Sequence, residues 1–208
     1  MLTQGSTAIA AADIRQGLKR AETPIVWGLD TFIGRFSEIS GNEATAALTL
    51  AVGLIGEAQQ RGEPVAWMTQ RQSSFYPPDV AATGVDLGAL PVIWTASPLD
   101  AARAADLLLR SGAFGLVVMD LGKRHELPLA AQNRLAALAK KHDTALLCLT
   151  SKEAHQPSIG SLVSLRAQAA RTDRSQQHFR CEAHIIKDKR LGPGWSHRGL
   201  YHGPNGLC

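Results

Sequence analysis

The stretch Glu38-Ile39-Ser40-Gly41-Asn42-Glu43-Ala44-Thr45-Ala46-Ala47-Leu48-Thr49-Leu50 decides how the rest of the chain is read. Residues 33–39 approach it as an apolar strand. Gly41-Asn42 is a turn pair that tolerates positive φ, and from Ala46 onward alanine and leucine favour helix. A strand, a turn and a helix start are the setting in which a nucleotide phosphate is held in the pattern G-x-x-x-x-G-K-[ST]. There backbone N–H groups cradle phosphate, a Lys reaches the terminal oxygens, and a hydroxyl binds magnesium. Here Gly41 stands without a second loop glycine, and no Lys occurs between Gly41 and Arg61. Gly41, Asn42, Glu43, Ala44 and Thr45 therefore read as a degenerate phosphate loop: the scaffold is present and the anchoring groups are not.

Outward from that stretch, Val65-Ala66-Trp67-Met68-Thr69, Pro91-Val92-Ile93-Trp94-Thr95, Gly115-Leu116-Val117-Val118-Met119-Asp120 and Thr144-Ala145-Leu146-Leu147-Cys148-Leu149-Thr150 are apolar runs of strand length. Helical patterns lie between them. Residues 45–61 carry leucines and valines on a broad face, with Gly53 and Gly56 reading as close approach to a sheet. Pro77 or Pro78 opens a second helix. Ser97-Pro98-Leu99-Asp100 resembles a capping box, and Gly112 terminates the helix that follows it. Residues 128–142 turn Leu129, Leu135, Leu138 and Ala139 inward and Arg134, Lys140 and Lys141 outward. Such alternation predicts an α/β fold, a mostly parallel sheet flanked by helices. Cys148 reads as plain core. Asp120 closes its strand where an acid would hold magnesium beside a nucleotide. Without the loop lysine it reads as a vestigial or structural acid.

Past Thr150 the pattern changes. Residues 162–166 alternate weakly, as an edge strand. Residues 178–186 alternate better and are expected to pair with it as a C-terminal antiparallel hairpin across a turn at 171–177. Gly192-Pro193-Gly194-Trp195 is a turn, and residues 191–208 read as a basic, Gly-rich flexible tail. At the other end, residues 13–21 predict a short helix that Glu22-Thr23-Pro24 breaks, and Trp27 is either core or partner surface. The expected organisation is an N-terminal helical or extended segment at 1–30, a core at 31–190 and the tail at 191–208.

A chain of 208 residues, 45% hydrophobic, fits one domain. It has no run of about 18 apolar residues, so no membrane span is expected. The small, apolar N-terminus lacks the basic start of a signal peptide. Cys148, Cys181 and Cys208 have neither disulfide nor metal spacing, which fits a reducing cytoplasm, and His197, His202 and Cys208 match no common metal pattern. Charge is uneven: residues 1–165 hold 14 Lys/Arg and 15 Asp/Glu, whereas residues 166–208 hold 8 and 3. The whole basic excess sits in the last fifth of the chain and points to an anionic partner, nucleic acid first. A solvated basic tail is the plain alternative. Lys187, Lys189, Arg190 and Arg198 form the densest basic group, Trp195 is a candidate for stacking on a base, and Lys152 stands in the polar run 151–161.

Gly34-Arg35-Phe36-Ser37-Glu38-Ile39-Ser40-Gly41 and Leu48-Thr49-Leu50 resemble the flanks of the phosphate loop in the RecA recombinase family. Arg61-Gly62, Gly84-Val85-Asp86, Arg110-Ser111-Gly112-Ala113 and Val117-Val118-Met119-Asp120 follow at compatible spacing, and Ile186-Lys187-Asp188-Lys189-Arg190 resembles the family's late basic strand. The resemblance runs over residues 31–149, and it rests on the order and spacing of these motifs together. It implies a RecA-like core, DNA-contacting loops near the sheet ends at 151–161, and a leading segment, here 13–32, that docks on a neighbouring subunit. The family's water-activating acid corresponds to the run Gln70-Arg71-Gln72-Ser73-Ser74, which holds no carboxylate. With the absent lysine this is a second, independent loss, so neither catalysis nor a cofactor or metal is expected.

Within that superfamily a short chain with a lost phosphate loop is most similar to accessory proteins of the ImuA type, with SulA-type division inhibitors as near neighbours. The resemblance implies a non-catalytic accessory protein of the SOS response to DNA damage, active in mutagenic translesion synthesis. It would bind DNA, a recombinase of the RecA family and a catalytically degenerate Y-family polymerase homologue, or self-associate. A SulA-like inhibitor of cell division and a divergent ATPase are the alternatives.

Overall fold

The computed structural model describes residues 26–42, 45–70, 75–123, 125–172 and 178–202. The expected helix at 13–21, most of the proposed docking segment, Glu43 and Ala44, residues 71–74, residues 173–177 of the hairpin turn and Cys208 lie outside the described residues, while Arg171 and Thr172 of that turn belong to β6. Eight strands form one sheet: β1 (Phe36–Gly41), β2 (Val65–Gln70), β3 (Val92–Thr95), β4 (Leu116–Gly122), β5 (Ala145–Ser151), β6 (Leu165–Thr172), β7 (His178–Asp188) and β8 (Ser196–His202). Their order is β3-β2-β4-β5-β1-β6-β7-β8. The first six in that order pair in parallel, and β6, β7 and β8 pair antiparallel. Helices α1 (Thr45–Gln60), α2 (Pro77–Ala81), α3 (Pro98–Ser111) and α4 (Leu129–Lys141) connect the parallel part. This is the mostly parallel sheet with a C-terminal antiparallel hairpin that the alternation predicts, and it is consistent with a RecA-like fold.

The sheet has a core on each face. On one, α1 buries Leu50, Leu54 and Ile55 with Ile39, Trp67, Val118 and Leu147, and the cluster continues under Ala167, Cys181 and Ile185. On the other, α3 and α4 bury Leu109 and Leu135 with Phe36, Met68, Met119, Leu146 and Cys148. Strand β5 is apolar from Ala145 to Leu149 because both its faces are covered. Each fully buried Leu or Ile contributes about 1.5–3 kcal/mol. The caps are as read: Ser97 Oγ accepts from the Asp100 amide at 3.2 Å, and Gly112 closes α3 at φ 66°. A Cβ on Gly112 would lie 2.9 Å from His142 Nδ1, so that position needs glycine twice over.

Several expectations are corrected. Gly53 does not mark close packing: it is exposed, and a Cβ there would meet nothing within 4 Å. Leu129 does not face inward but is 61% exposed, because Pro128 caps α4 and the buried stripe runs through Gln132, Leu135 and Ala139. The strand foreseen at 162–166 begins at Leu165 and is no edge, since β6 lies between β1 and β7. Residues 196–202 are not a flexible tail. They form β8, in register Glu182↔Arg198. Their sequence hides this because the one aliphatic residue of β8, Leu200, lies on its uncovered face with Ser196 and Arg198. The other face places His197 and Tyr201 against rings, with His197 stacked on Trp27 at 5.2 Å and Tyr201 on Phe179 at 6.1 Å. Trp27 also meets Phe32 edge-on at 5.1 Å, so it packs against its own chain. Among the described residues no helix is long and apolar enough to cross a membrane.

Candidate functional site

Open α/β sheets bind ligands beyond the carboxyl ends of their strands, where successive crossovers diverge to opposite faces. Here that place is between β1 and β5: α1 leaves β1 toward one face, while α3 and α4 cover the other. Gly41 closes β1, Asn42 is exposed, and α1 begins at Thr45, so the degenerate loop occupies the position read for it. Asn42 Nδ2 donates to Glu153 Oε1 at 3.2 Å and ties the loop to the segment after β5. Asp120 is half-buried near the end of β4, where its Oδ2 accepts from Thr69 Oγ1 of β2 at 3.1 Å.

Below this rim lies a buried ionic network. Glu38 on β1 is fully buried. Its Oε1 accepts from Lys152 Nζ at 2.7 Å and from Thr150 Oγ1 at 2.8 Å, and its Oε2 accepts from the Ile159 amide at 2.9 Å. Lys152 Nζ also donates to the Pro157 carbonyl at 2.8 Å. Arg166, paired with Glu38 in the β1–β6 register, is buried as well. It donates through Nε to Ser40 Oγ at 3.2 Å and through its two terminal nitrogens to the carbonyls of Gln156 and of Glu153, the latter at 2.9 Å. Burial holds the Arg166 guanidinium below its ordinary pKa, opposed by the charge of Glu38. Ser40 Oγ reaches Gln168 Oε1 at 2.9 Å, and Gln168 Nε2 donates to the Lys152 carbonyl at 3.3 Å. Two cations and one carboxylate thus fold the segment 152–164 down onto the sheet. Burial and the nearby Glu38 push the Cys148 thiol well up, so it is a core residue rather than a nucleophile.

The basic residues do not form one cluster. Lys152 is corrected as a DNA contact: only 3% of it is exposed, and its ammonium is engaged by Glu38. A carboxylate inside an apolar strand calls for a buried partner, but the sequence does not say which residue supplies it. Glu38 and Arg166 are the residues that sequence reasoning did not single out. Trp195 is corrected as a stacking platform. Its ring is half-buried 6.4 Å from Trp27, and its Nε1 donates to Asp188 Oδ2 at 3.3 Å. That carboxylate is the hub of a second buried pair, with Arg35 at 2.6 Å and the amides of Arg190 and Leu191 at 2.8 and 3.2 Å. Burial would raise the Asp188 carboxyl, but the Arg35 and backbone hydrogen bonds outweigh it and hold it below its ordinary value. Arg190 is exposed and donates to the Ile33 carbonyl at 3.0 Å. Lys187 and Lys189 converge on the Ser161 carbonyl at 3.3 and 2.7 Å, and exposed Arg198 pairs with Glu182 at 3.1 Å. Among the described residues no group of three or more His, Cys, Asp or Glu could hold a metal ion.

Comparison with known proteins places one relationship on this geometry. The chain is 37% identical over 87 residues to Protein RecA of Chlorobaculum tepidum, covering 42% of this chain and 25% of that protein. It is 38% identical over 87 residues to Protein RecA of Fusobacterium nucleatum subsp. nucleatum, over 42% of this chain and 23% of the relative. With Protein RecA of a Nocardioides species the figure is 39% over 88 residues, 42% of this chain and 25% of the relative. The chain thus spans about a quarter of the length of the curated relatives it matches. No family model matches the chain. The partial similarity supports a RecA-like relationship.

Proposed function

We propose that this RecA-like chain is a non-catalytic accessory protein of damage-induced mutagenic translesion synthesis. It works by binding: to DNA, to a recombinase of the RecA family and to a catalytically degenerate Y-family polymerase homologue. The observation that carries the reading is the state of the sheet end. Lys152, just past the end of β5, is held by Glu38 inside the protein, and the loop sequence supplies no lysine of its own. A nucleotide there lacks the charge-assisted contact that anchors its terminal phosphates. The partial similarity to RecA supports a role connected with DNA.

Two measurements test this together. Calorimetry with ATP and magnesium is expected to give no isotherm at submillimolar concentration; a clear isotherm in that range would make the protein a nucleotide enzyme or switch. Removing the chain from its cell is expected to abolish damage-induced mutation, and restoring it to bring mutation back. An unchanged induced mutation frequency overturns the role.

A further inference from the structure

Sheet pairing sorts the second half of the chain onto two faces. On β7, Phe179, Cys181, Ala183 and Ile185 are buried toward α1. Their alternates, Arg180, Glu182 and His184, point to the other face, and antiparallel register sets Leu200, Arg198 and Ser196 of β8 beside them. On the β6 side the partners are Thr172, Ala170 and Gln168, and beyond the bulge Arg166 opposes Lys187. The core under α3 and α4 takes no residue from β6, β7 or β8. Arg180, His184, Ser196, Arg198 and Leu200 are all exposed. This half of the sheet is therefore an open face, and it carries no Phe, Tyr or Trp on these positions.

We propose that this face binds nucleic-acid phosphate, with Lys187 and Lys189 at one end and Arg198 and Arg180 along the rest. It rests on the accessory reading above and gives that reading's DNA partner a surface. Among the described residues this face carries Arg180, Lys187, Lys189 and Arg198 and the carboxylate of Glu182, which Arg198 engages, so the lysine pair is its uncompensated charge. The two lysines bring both ammonium groups to one backbone oxygen, Ser161 O, and among the described residues neither is paired with a carboxylate. Two like charges on one acceptor repel, and an anion between them relieves the repulsion. Burial, and then the Lys189 charge, already hold Lys187 below its ordinary pKa. Along β7 the seven steps from Arg180 to Lys187 span about 24 Å at about 3.4 Å each. A run of that length is long enough to meet several successive phosphates of a nucleic-acid backbone. Contacts of this kind read backbone rather than sequence.

The test uses the full chain with fluorescent single- and double-stranded 20-mers, followed by anisotropy across a salt series. Lys187→Ala/Lys189→Ala is expected to lose more than about tenfold in affinity at low salt. Its log–log salt slope should flatten by about 0.7–0.9 per contact removed. Lys187→Arg/Lys189→Arg should retain binding, which separates charge from folding. Arg103→Ala/Arg110→Ala, an equal charge loss on α3, should change affinity less than about twofold. Absent binding by the unaltered protein, or an equal loss in the α3 variant, overturns the proposal. So does an oligonucleotide affinity untouched by the lysine pair while that pair still abolishes induced mutation, which assigns the face to an acidic protein. Binding that maps to the face in a protein whose removal leaves induced mutation unchanged keeps the surface and removes the translesion role.

Discussion

Glu38 sits in the middle of a strand otherwise built from apolar and small residues, and everything about its surroundings answers to its charge. Three donors reach its two oxygens, and the Lys152 ammonium neutralises it. Breaking one side of such a pair leaves an uncompensated buried charge, at a cost of about 3–5 kcal/mol. Lys152→Met is therefore expected to lower the unfolding free energy by that amount in urea titration. Glu38→Gln combined with Lys152→Met should recover a large part, because the charge and its counterion leave together. A Lys152→Met protein as stable as the original would show that solvent reaches Glu38. Lys152 itself illustrates where the sequence misled: a Lys in a polar run looks solvated, and its burial follows only from a carboxylate 114 positions earlier in the chain.

At the scale of elements, α1 holds the opposite kind of error. Gly53 reads as a packing device and is instead an exposed glycine inside a helix, with room for a Cβ. Gly53→Ala is expected to stabilise the protein by about 0.5–1 kcal/mol, by reducing unfolded-state entropy and raising helix propensity. A raised melting temperature checks it, and a lowered one would mean that a partner or neighbouring segment approaches α1 there. Most other elements were legible because local chemistry and tertiary context agree. The apolar run of β5 needs two covered faces and has them, and Ser97 and Gly112 cap α3 as their types demand. Legibility failed at β8, where Ser196-His197-Arg198-Gly199-Leu200-Tyr201 puts its aliphatic Leu200 on the open face and His197 on the covered one, so no apolar alternation betrays a strand. The loop of the candidate site was legible, since Gly41 closes β1 before α1. The network beneath it was not, because its partners are distant in sequence.

For the whole molecule, the Arg35–Asp188 pair joins the entry of β1 to the exit of β7 and so ties the parallel half to the antiparallel one. The Asp188 carboxyl is held below its ordinary value, so its contribution is fully present above the unfolded value of about 3.9. It is lost as pH falls through the lower folded value. Melting temperature is expected to drop below about pH 4 more steeply in the original protein than in Asp188→Asn. Asp188→Asn should in turn be the less stable at pH 7. Parallel acid profiles for the two would remove Asp188 from the linkage.

The segment 152–164 contains no helix, and its middle lies on the surface. Yet the Ile159 amide is bonded to a carboxylate that is fully buried within the sheet. In deuterium-exchange experiments Ile159 is expected to exchange as slowly as Leu147 in β5, through global unfolding. The neighbouring amides of Ala154 and His155, which are exposed, should exchange within the fast phase. By that measure a stretch that looks like a surface loop would belong, in its motions, to the interior of the sheet.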